Sequence, residues 1–512
     1  TTKLKDNTVV FANGEPHVHA VCGTAGCTEE GHSDEVWKCI TKLDEITGDG
    51  SYYLKDSVTL DKTWTCNYNV KLCLNGKTIT GSDEYATISV KSKKSLDITD
   101  CRETGTITHE SGKKGIGIYV QGTSTLWNGA VTGNNGDSAV FVGDKGSTFK
   151  MNGGSITGNN GKYSGGVFTN GTFEMNGGSI TGNTSSNNYG DGGGVYVSAG
   201  TFTMTGGRIA ENKGDNSGGV YVDSNFKMTG GEITGNSGRM GGGVYAAYGS
   251  TFTMTGGNIT GNSNRTNYAG GGVYVADKGA FTMDGGSITG NKNTSSFGGA
   301  GVYVAGNGTF TMDGGDITGN TNKAANDSGA GVYVAKDGAF TMNGGAISDN
   351  KNTSSSYSGG GVHINSGTFI MNDGEITGNT SQSSGGGVYI YNSGKFTMTG
   401  GSITGNKSEA FGGGVYINSG TFTMTDGKIT GNTSAKYGGG VYIYNSGKFT
   451  MTGGSITGNT NELGGGGVYV ASGGTFTMTK GKITGNTSAR YGGGVSVASS
   501  GTANMRGGEI TG

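Results

Sequence analysis

A single sequence repeat runs from about residue 140 to the end of the chain, and it constrains the fold more than any other feature. The repeat reads G-G-G-V-Y-V, then T-F-T-M-T-G-G, then x-I-T-G-N, with small changes from copy to copy. Each copy carries too few apolar residues to enclose a core, so neighbouring copies must stack to bury anything. The chain is therefore predicted to form a solenoid.

The spacing of the apolar residues shows which part of the repeat is rigid. An isoleucine follows the repeat's methionine by a constant interval, from Met151 and Ile156 to Met505 and Ile510. The stretch between that isoleucine and the next valine changes in length from copy to copy. We therefore expect one corner of constant geometry and one variable loop in every repeat.

Within a repeat, apolar and polar residues alternate with period two. Residues 195–197 read V-Y-V, residues 201–205 read T-F-T-M-T, and Ile209 follows a Gly-Gly pair. This alternation predicts three short strands per repeat, each paired with its counterpart one repeat later. The predicted fold is all-β: a parallel β-helix of about 17 coils with a small Cys/His-rich N-terminal cap.

The domain boundaries follow changes in this pattern. Residues 1–50 are predicted to form the cap or a joint, and residues 51–512 the β-helix, with degenerate coils over 51–135 and regular repeats over 136–512. Valine, phenylalanine and methionine columns are expected to face inward. We interpret the asparagine of each I-T-G-N step as a buried structural ladder, because asparagine tolerates a left-handed turn and stacked amides can hydrogen-bond.

Two elements of the repeat carry a family resemblance. The G-G-G-V run at residues 192–195 and the I-T-G-N step at residues 180–183 resemble the repeat of polymorphic outer-membrane proteins and other pectin-lyase-like bacterial surface proteins. The resemblance covers roughly residues 115–512. It implies a secreted, right-handed β-helix used for adhesion or display, and its motifs carry architecture without chemistry.

Composition narrows the function classes. Glycine accounts for 110 of 512 residues and proline for one, and the formal net charge is −2. No apolar run approaches the roughly 18 residues of a membrane helix, and no basic face is evident. We expect a secreted, cell-surface protein with no membrane span and no nucleic-acid partner.

The first part of the chain concentrates the residues that bind metals or form disulfides. All six cysteines and four of the five histidines precede residue 110. The spacing of one group could close around a structural zinc, and no other cofactor is predicted; the members of the group are His17, His19, Cys22, Cys27 and His32. The even number of cysteines is equally compatible with a disulfide-linked cap. The sequence leaves both alternatives open.

Two outward-facing features are candidate contact surfaces. One is the tyrosine after the first valine of each repeat, which alternation places on the outside; the candidate binding residues are Tyr274, Tyr303, Tyr333, Tyr389, Tyr416 and Tyr442. These rings are expected either to stack on each other under the variable loops or to form an exposed strip for sugars or a partner. The other is a ridge of long polar loops between residues 260 and 361.

Catalysis is disfavoured by the residue pattern. The one acidic pair in register is Asp284 and Asp313, and asparagine or threonine replaces it in other repeats. We therefore predict no catalytic residues and a non-enzymatic extracellular stalk or adhesin that contacts a host or cell-surface glycan or protein. The alternatives are a subunit of a head-to-tail filament, suggested by repeats that continue to Gly512, and a polysaccharide-binding or polysaccharide-cleaving β-helix.

Overall fold

The described residues form a right-handed parallel β-helix of about 16 turns, which confirms the predicted fold class. They contain one helix, the 3₁₀ turn Leu43–Glu45. The structure is a computed structural model, and it describes residues 37–185, 192–266, 269–294, 297–323, 328–356 and 358–511, with the backbone of the antiparallel strands Thr8–Val10 and Pro16–Val18. The chain divides into an N-terminal unit, Thr1–Asn236, and a C-terminal unit, Ser237–Gly512.

Three parallel sheets build the N-terminal unit, and each is named here for the inward residue of its regular strands. The phenylalanine sheet contains Trp37–Ile40, Gly50–Leu54, Val70–Cys73, Ser95–Thr99, Thr123–Leu126, Thr148–Met151, Thr172–Met175, Thr201–Met204 and Asn225–Met228. The isoleucine sheet contains Val58–Leu60, Thr78–Gly81, Thr106–His109, Ala130–Thr132, Ser155–Thr157, Ser179–Thr181, Arg208–Ala210 and Glu232–Thr234. The valine sheet contains Trp64–Cys66, Ala86–Val90, Ile116–Val120, Val140–Val142, Val167–Thr169, Val195–Val197 and Val220–Val222.

The C-terminal unit repeats the same three sheets. Its phenylalanine sheet contains Thr251–Met254, Ala280–Met283, Thr309–Met312, Ala339–Met342, Thr368–Met371, Lys395–Met398, Thr421–Met424, Lys448–Met451, Thr475–Met478 and Thr502–Met505. Its isoleucine sheet contains Asn258–Thr260, Ser287–Thr289, Asp316–Thr318, Ala346–Ser348, Glu375–Thr377, Ser402–Thr404, Lys428–Thr430, Ser455–Thr457, Lys482–Thr484 and Glu509–Thr511. Its valine sheet contains Val244–Ala246, Val273–Val275, Val302–Val304, Val332–Val334, Val362–Asn365, Val388–Tyr391, Val415–Asn418, Val441–Tyr444, Val468–Val470 and Val495–Val497.

Two-residue strands add to the three predicted per coil. One set follows the ladder asparagine: Asn160–Gly161 and Thr184–Ser185 in the N-terminal unit, and Ser237–Gly238, Ser263–Asn264, Lys292–Asn293, Thr321–Asn322, Lys351–Asn352, Thr380–Ser381, Lys407–Ser408, Thr433–Ser434, Thr460–Asn461 and Thr487–Ser488 in the C-terminal unit. A second set closes the long loops: Ala269–Gly270, Gly298–Gly299, Ser328–Gly329 and Ser358–Gly359. The variable loops are therefore partly paired from coil to coil.

The core consists of the inward columns expected from the alternation. Phe310 pairs in register with Phe281 and Phe340, and its ring stacks on theirs at centroid distances of 4.8 and 4.7 Å. Met312 and Ile317 are fully buried beside it. Each apolar side chain is buried mainly by its counterparts in the adjacent coils, because one coil alone encloses no interior.

The asparagine ladder is confirmed, although the left-handed residue is the preceding glycine. Asn320 Nδ2 donates to Asn350 Oδ1 at 2.9 Å, and Asn320 Oδ1 accepts from Asn291 Nδ2 at 3.0 Å. Gly319 has φ 63°, whereas none of these three asparagines has a positive φ. Glycine takes the left-handed position because it has no Cβ to clash there.

The G-G-G run is required because neighbouring coils approach each other closely there. A Cβ on Gly386 would lie 2.5 Å from the carbonyl oxygen of Gly413 and 2.6 Å from that of Lys407. A Cβ on Gly387 would lie 3.1 Å from Nδ2 of Asn406, a ladder residue. Glycine in this run therefore lets the backbone pack directly against the asparagine ladder.

The parallel ladder begins earlier than the predicted boundary at residue 50. Trp37–Ile40 pairs in parallel with Gly50–Leu54, with Trp37 opposite Ser51 and Ile40 opposite Leu54. Trp37, Ile40 and Leu43 are all buried. Residues 37–50 of the predicted cap therefore belong to the β-helix. The sequence analysis did not predict this strand pairing because residues 37–50 contain no regular repeat.

Candidate functional site

The six candidate tyrosines lie in one column of rings, which His363 interrupts between Tyr333 and Tyr389, and each ring is buried. Their exposed fractions lie between 0 % for Tyr389 and 8 % for Tyr442. Tyr274 stacks on Tyr303 at 5.0 Å between ring centroids, and Tyr303 on Tyr333 at 5.1 Å. Of the two alternatives, these six rings follow the first, in which the rings stack on each other, and the exposed strip is wrong for them; binding by these side chains stays a prediction.

Aromatic residues in the variable loops cover part of this column. Phe411 stacks on Tyr442 at 4.9 Å between ring centroids, and Tyr437 packs on Tyr469 at 4.4 Å. The backbone at Phe411 bridges to that at Tyr437, so the covering residues are themselves in register. Alternation places the tyrosines on the outer side of their strands, but the loop that folds over them decides their exposure.

Burial also changes the chemistry of the tyrosine hydroxyls. Desolvation raises the pKa of Tyr274 and of Tyr442 well above the ordinary value, and neighbouring tyrosines add to the effect. These hydroxyls therefore stay neutral at any physiological pH. In the same column, the hydroxyl of Tyr333 accepts a hydrogen bond from Asn365 Nδ2 at 3.0 Å.

The bases of the long loops between residues 260 and 361 hold two further pairs of buried asparagines. Asn264 Nδ2 donates to Asn293 Oδ1 at 2.9 Å, and Asn322 Nδ2 donates to Asn352 Oδ1 at 3.2 Å. All four side chains are buried. In the sequence, these asparagines come two residues after the ladder asparagines of the same coils. The sequence analysis counted them as part of the polar loops and did not predict that they are buried.

Parts of the predicted ridge lie outside the described residues. They are residues 267–268, 295–296, 324–327 and 357. The described loop bases are structural, so a ridge at the tips stays a prediction.

The proposed zinc ligands also lie outside the described residues. This holds for His19, Cys22, Cys27 and His32, and for His17 only the backbone is described. Within the ranges that the structure describes, no group of three or more His, Cys, Asp and Glu side chains could hold a metal ion. The choice between zinc and disulfides in the first 36 residues therefore stays open.

Asp313, the second member of the acidic pair, belongs to a row of hydrogen-bonded side chains on the outer surface. Asp313 Oδ1 accepts a hydrogen bond from Asn343 Nδ2 at 2.6 Å, and Asn343 Oδ1 accepts one from Asn372 Nδ2 at 2.8 Å. Thr399 Oγ1 continues the series by donating to Asn372 Oδ1 at 2.9 Å. The carboxylate of Asp313 is thus one member of a coil-to-coil hydrogen-bonded row.

A groove in the N-terminal unit was not predicted from the sequence. It has a volume of about 490 Å³. Its polar and aromatic lining consists of Glu84, Tyr85, Lys114, Asn135, Asp137, Asn160 and Lys162. The signal was Tyr85 in the segment D-E-Y, an aromatic residue outside the regular tyrosine column.

The side chains of the groove are available to a ligand from solvent. Tyr85 is 52 % exposed and packs edge-on against Tyr119 at 5.6 Å between ring centroids. Partial burial, followed by the neighbouring Tyr119, raises the pKa of Tyr85 to about 12, so its hydroxyl is protonated at neutral pH. Asn160 Nδ2 donates to Asn135 Oδ1 at 3.3 Å, which aligns two amides along the groove.

Residues 361–512 match the family model described as the right handed beta helix region. No curated protein and no solved structure matches the chain. Across the described part of the chain, no helix has the length and apolar character needed to cross a membrane. The comparisons therefore support the β-helix fold and leave the function to the chemistry of the surface.

Proposed function

We propose that the protein is a non-enzymatic scaffold outside the cell, a stalk or adhesin whose coils hold a contact surface in place. The observation that supports this proposal is the row of outward side chains from Asp313 through Asn343 and Asn372 to Thr399. Asp313 is the carboxylate that an enzymatic function would use, and in this row it hydrogen-bonds to the next coil. Contacts between adjacent coils let such a scaffold change length without changing its fold.

The groove around Tyr85 is the contact surface that we propose for a glycan. Sugar rings stack on exposed aromatic faces, and their hydroxyls hydrogen-bond to amides, carboxylates and ammonium groups. Tyr85 supplies an exposed ring, Asn135 and Asn160 supply amides, and Asp137 and Lys162 supply charged groups of opposite sign. A neutral or weakly charged glycan of a host or cell surface fits this mixture.

The test is glycan binding by the full chain and by two tyrosine variants. Tyr85→Ala should lower the affinity for glycans at least tenfold, because the stacking ring is lost. Tyr248→Ala is the matched control, since Tyr248 is 62 % exposed but belongs to the C-terminal unit. Equal affinities of Tyr85→Ala and the wild type would contradict the groove assignment.

The enzymatic and filament alternatives need separate measurements. Release of reducing ends from polysaccharides by the wild type, abolished in a D284N/D313N variant, would contradict the non-enzymatic proposal. Electron micrographs of the purified chain distinguish single particles from filaments. Continuous filaments would favour the head-to-tail alternative.

A further inference from the structure

Two cysteines of the irregular N-terminal coils meet at the same corner of the helix. Cys73 ends the strand Val70–Cys73, and Cys101 lies in the turn after the strand Ser95–Thr99. These strands pair in parallel with Thr99 opposite Cys73, which brings the next turn over the end of the first strand. The two Sγ atoms are 3.4 Å apart.

The turn that carries Cys101 is held against the turn that follows Cys73. The Asp100 carboxylate accepts hydrogen bonds from the backbone N–H of Gly76 at 2.6 Å and from that of Gly105 at 2.5 Å. Asp100 is 1 % exposed, so these bonds form away from water. The backbone therefore holds both cysteines in place before any covalent bond forms.

The two thiols differ in their access to solvent. Cys73 is fully buried and packs with Trp37 and Tyr53, whereas Cys101 is partly buried at the edge of that cluster. Cys101 is therefore the thiol that a reagent from solvent reaches first. Cys73 lies directly behind it.

We propose that Cys73 and Cys101 are joined by a disulfide bond, formed by exchange with a small-molecule or protein disulfide. The Cys101 thiol loses its proton to water, and its thiolate attacks the donor disulfide, which releases one donor thiol and leaves a mixed disulfide. Cys73 then loses its proton and attacks the Cys101 sulfur, which releases the second donor thiol. The two cysteines give up two electrons, and the donor disulfide takes both.

The environment of Cys73 determines the slow step. Burial is the main cause that raises the pKa of the Cys73 thiol well above the ordinary value, and this burial persists when Cys101 is in the mixed disulfide. Attack by Cys73 on the mixed disulfide therefore limits the rate. That rate should rise with pH across the alkaline range.

The bond would close one coil of the helix covalently. The strands of this coil, Val70–Cys73 and Ser95–Thr99, contain no phenylalanine of the stacked column. The disulfide would therefore stabilise this coil covalently, where the regular coils are stabilised by stacked rings. Cys66 provides the contrast: it is buried, and its Sγ contacts the carbonyl oxygens of Tyr68 at 3.3 Å and Ser95 at 3.8 Å. It should stay a thiol.

The test is a disulfide map of the full chain before and after exposure to oxidised glutathione. Reduced protein is treated with the donor, alkylated without reductant and digested. We expect one linked peptide pair containing Cys73 and Cys101, lighter by two hydrogens than the sum of the two thiol peptides, and an alkylated Cys66. A peptide carrying glutathione on Cys101 should precede the linked pair, and it should decay faster at higher pH.

Two variants separate the bond from effects on folding. Cys101→Ser should lose the linked pair and any difference in melting temperature between reduced and oxidised samples, and Cys66→Ser should keep both. Alkylation of both Cys73 and Cys101 after exposure to the donor would overturn the proposal. Linkage of either residue to another cysteine, or stoichiometric zinc protecting both thiols, would overturn it as well.

Discussion

The irregular coils of the N-terminal unit and the regular coils of the C-terminal unit satisfy their buried polar turns in different ways. In the irregular coils, Asp100 binds two backbone N–H groups, and the His109 ring lies between Thr87 Oγ1 and the Asp83 carbonyl at 2.8 and 2.7 Å. In the regular coils, one residue type repeats, and each asparagine bonds to the next. The repeated asparagine links every coil to the next, whereas the Asp100 carboxylate links only the two coils that carry Gly76 and Gly105.

The largest expected effect is on the repeated core. Phe310→Ala should lower the local free energy of opening by about 3–5 kcal/mol, because it leaves a cavity between Phe281 and Phe340. Hydrogen exchange of the backbone amides in the strand and in its two neighbours measures the loss. An effect confined to the substituted coil would contradict the dependence on neighbours.

The two kinds of polar turn can be compared directly. Asn320→Ala removes the acceptor of the Asn291 backbone N–H and the donor to the Ile288 carbonyl, a loss of about 2–6 kcal/mol at roughly 1–3 kcal/mol for each of the two buried groups. Asp100→Ala should cost a similar amount. Amide exchange should quicken in three successive coils of the asparagine variant but only in the two coils that carry Gly76 and Gly105 in the aspartate variant. The same spread in both would remove the distinction.

His363 interrupts the tyrosine column and makes one regular coil sensitive to pH. It stacks between Tyr333 and Tyr389, and burial lowers its pKa to about 3. The unfolded histidine binds a proton near pH 6.5 while the folded one stays neutral, so stability is complete above pH 6.5 and falls as the pH drops towards 3. The expected loss at pH 5 is about 2 kcal/mol.

Acid unfolding of the wild type and of His363→Tyr measures this effect. The tyrosine variant restores the ring type of the neighbouring coils and has no group that titrates in this range. Its stability around residue 363 should stay level between pH 7 and 5. Parallel pH profiles for the two proteins would show that another group is responsible.

The smallest effect is expected at an outward residue of the same strand as Phe310. Thr311→Ala should change the local free energy of opening by less than about 1 kcal/mol, because the side chain is only partly buried and leaves no core cavity. Hydrogen exchange under the conditions used for Phe310→Ala gives the comparison. Equal losses in the two variants would show that the inward and outward assignments are wrong.

The sequence alone determined the fold class, the inward columns and the asparagine ladder. These features follow from the alternation of apolar and polar residues along each strand and from the constant interval between Met312 and Ile317 or their equivalents. When the alternation is strict, only one face of each strand is apolar, and that face must point into the core. The sequence also placed Tyr389, Tyr416 and Tyr442 in one column.

Only the tertiary structure decided which of these residues meet solvent or each other. Phe411 covers Tyr442 because a loop of variable length folds over the strand, and no period predicts where such a loop ends. The contact between Cys73 and Cys101, the strand at Trp37 and the Tyr85 side of the groove lie in coils without a regular repeat, and the groove continues to Asn160 and Lys162 in a regular coil. Periodicity specifies contacts between equivalent positions, whereas contacts between unlike positions depend on the path of the chain through each turn.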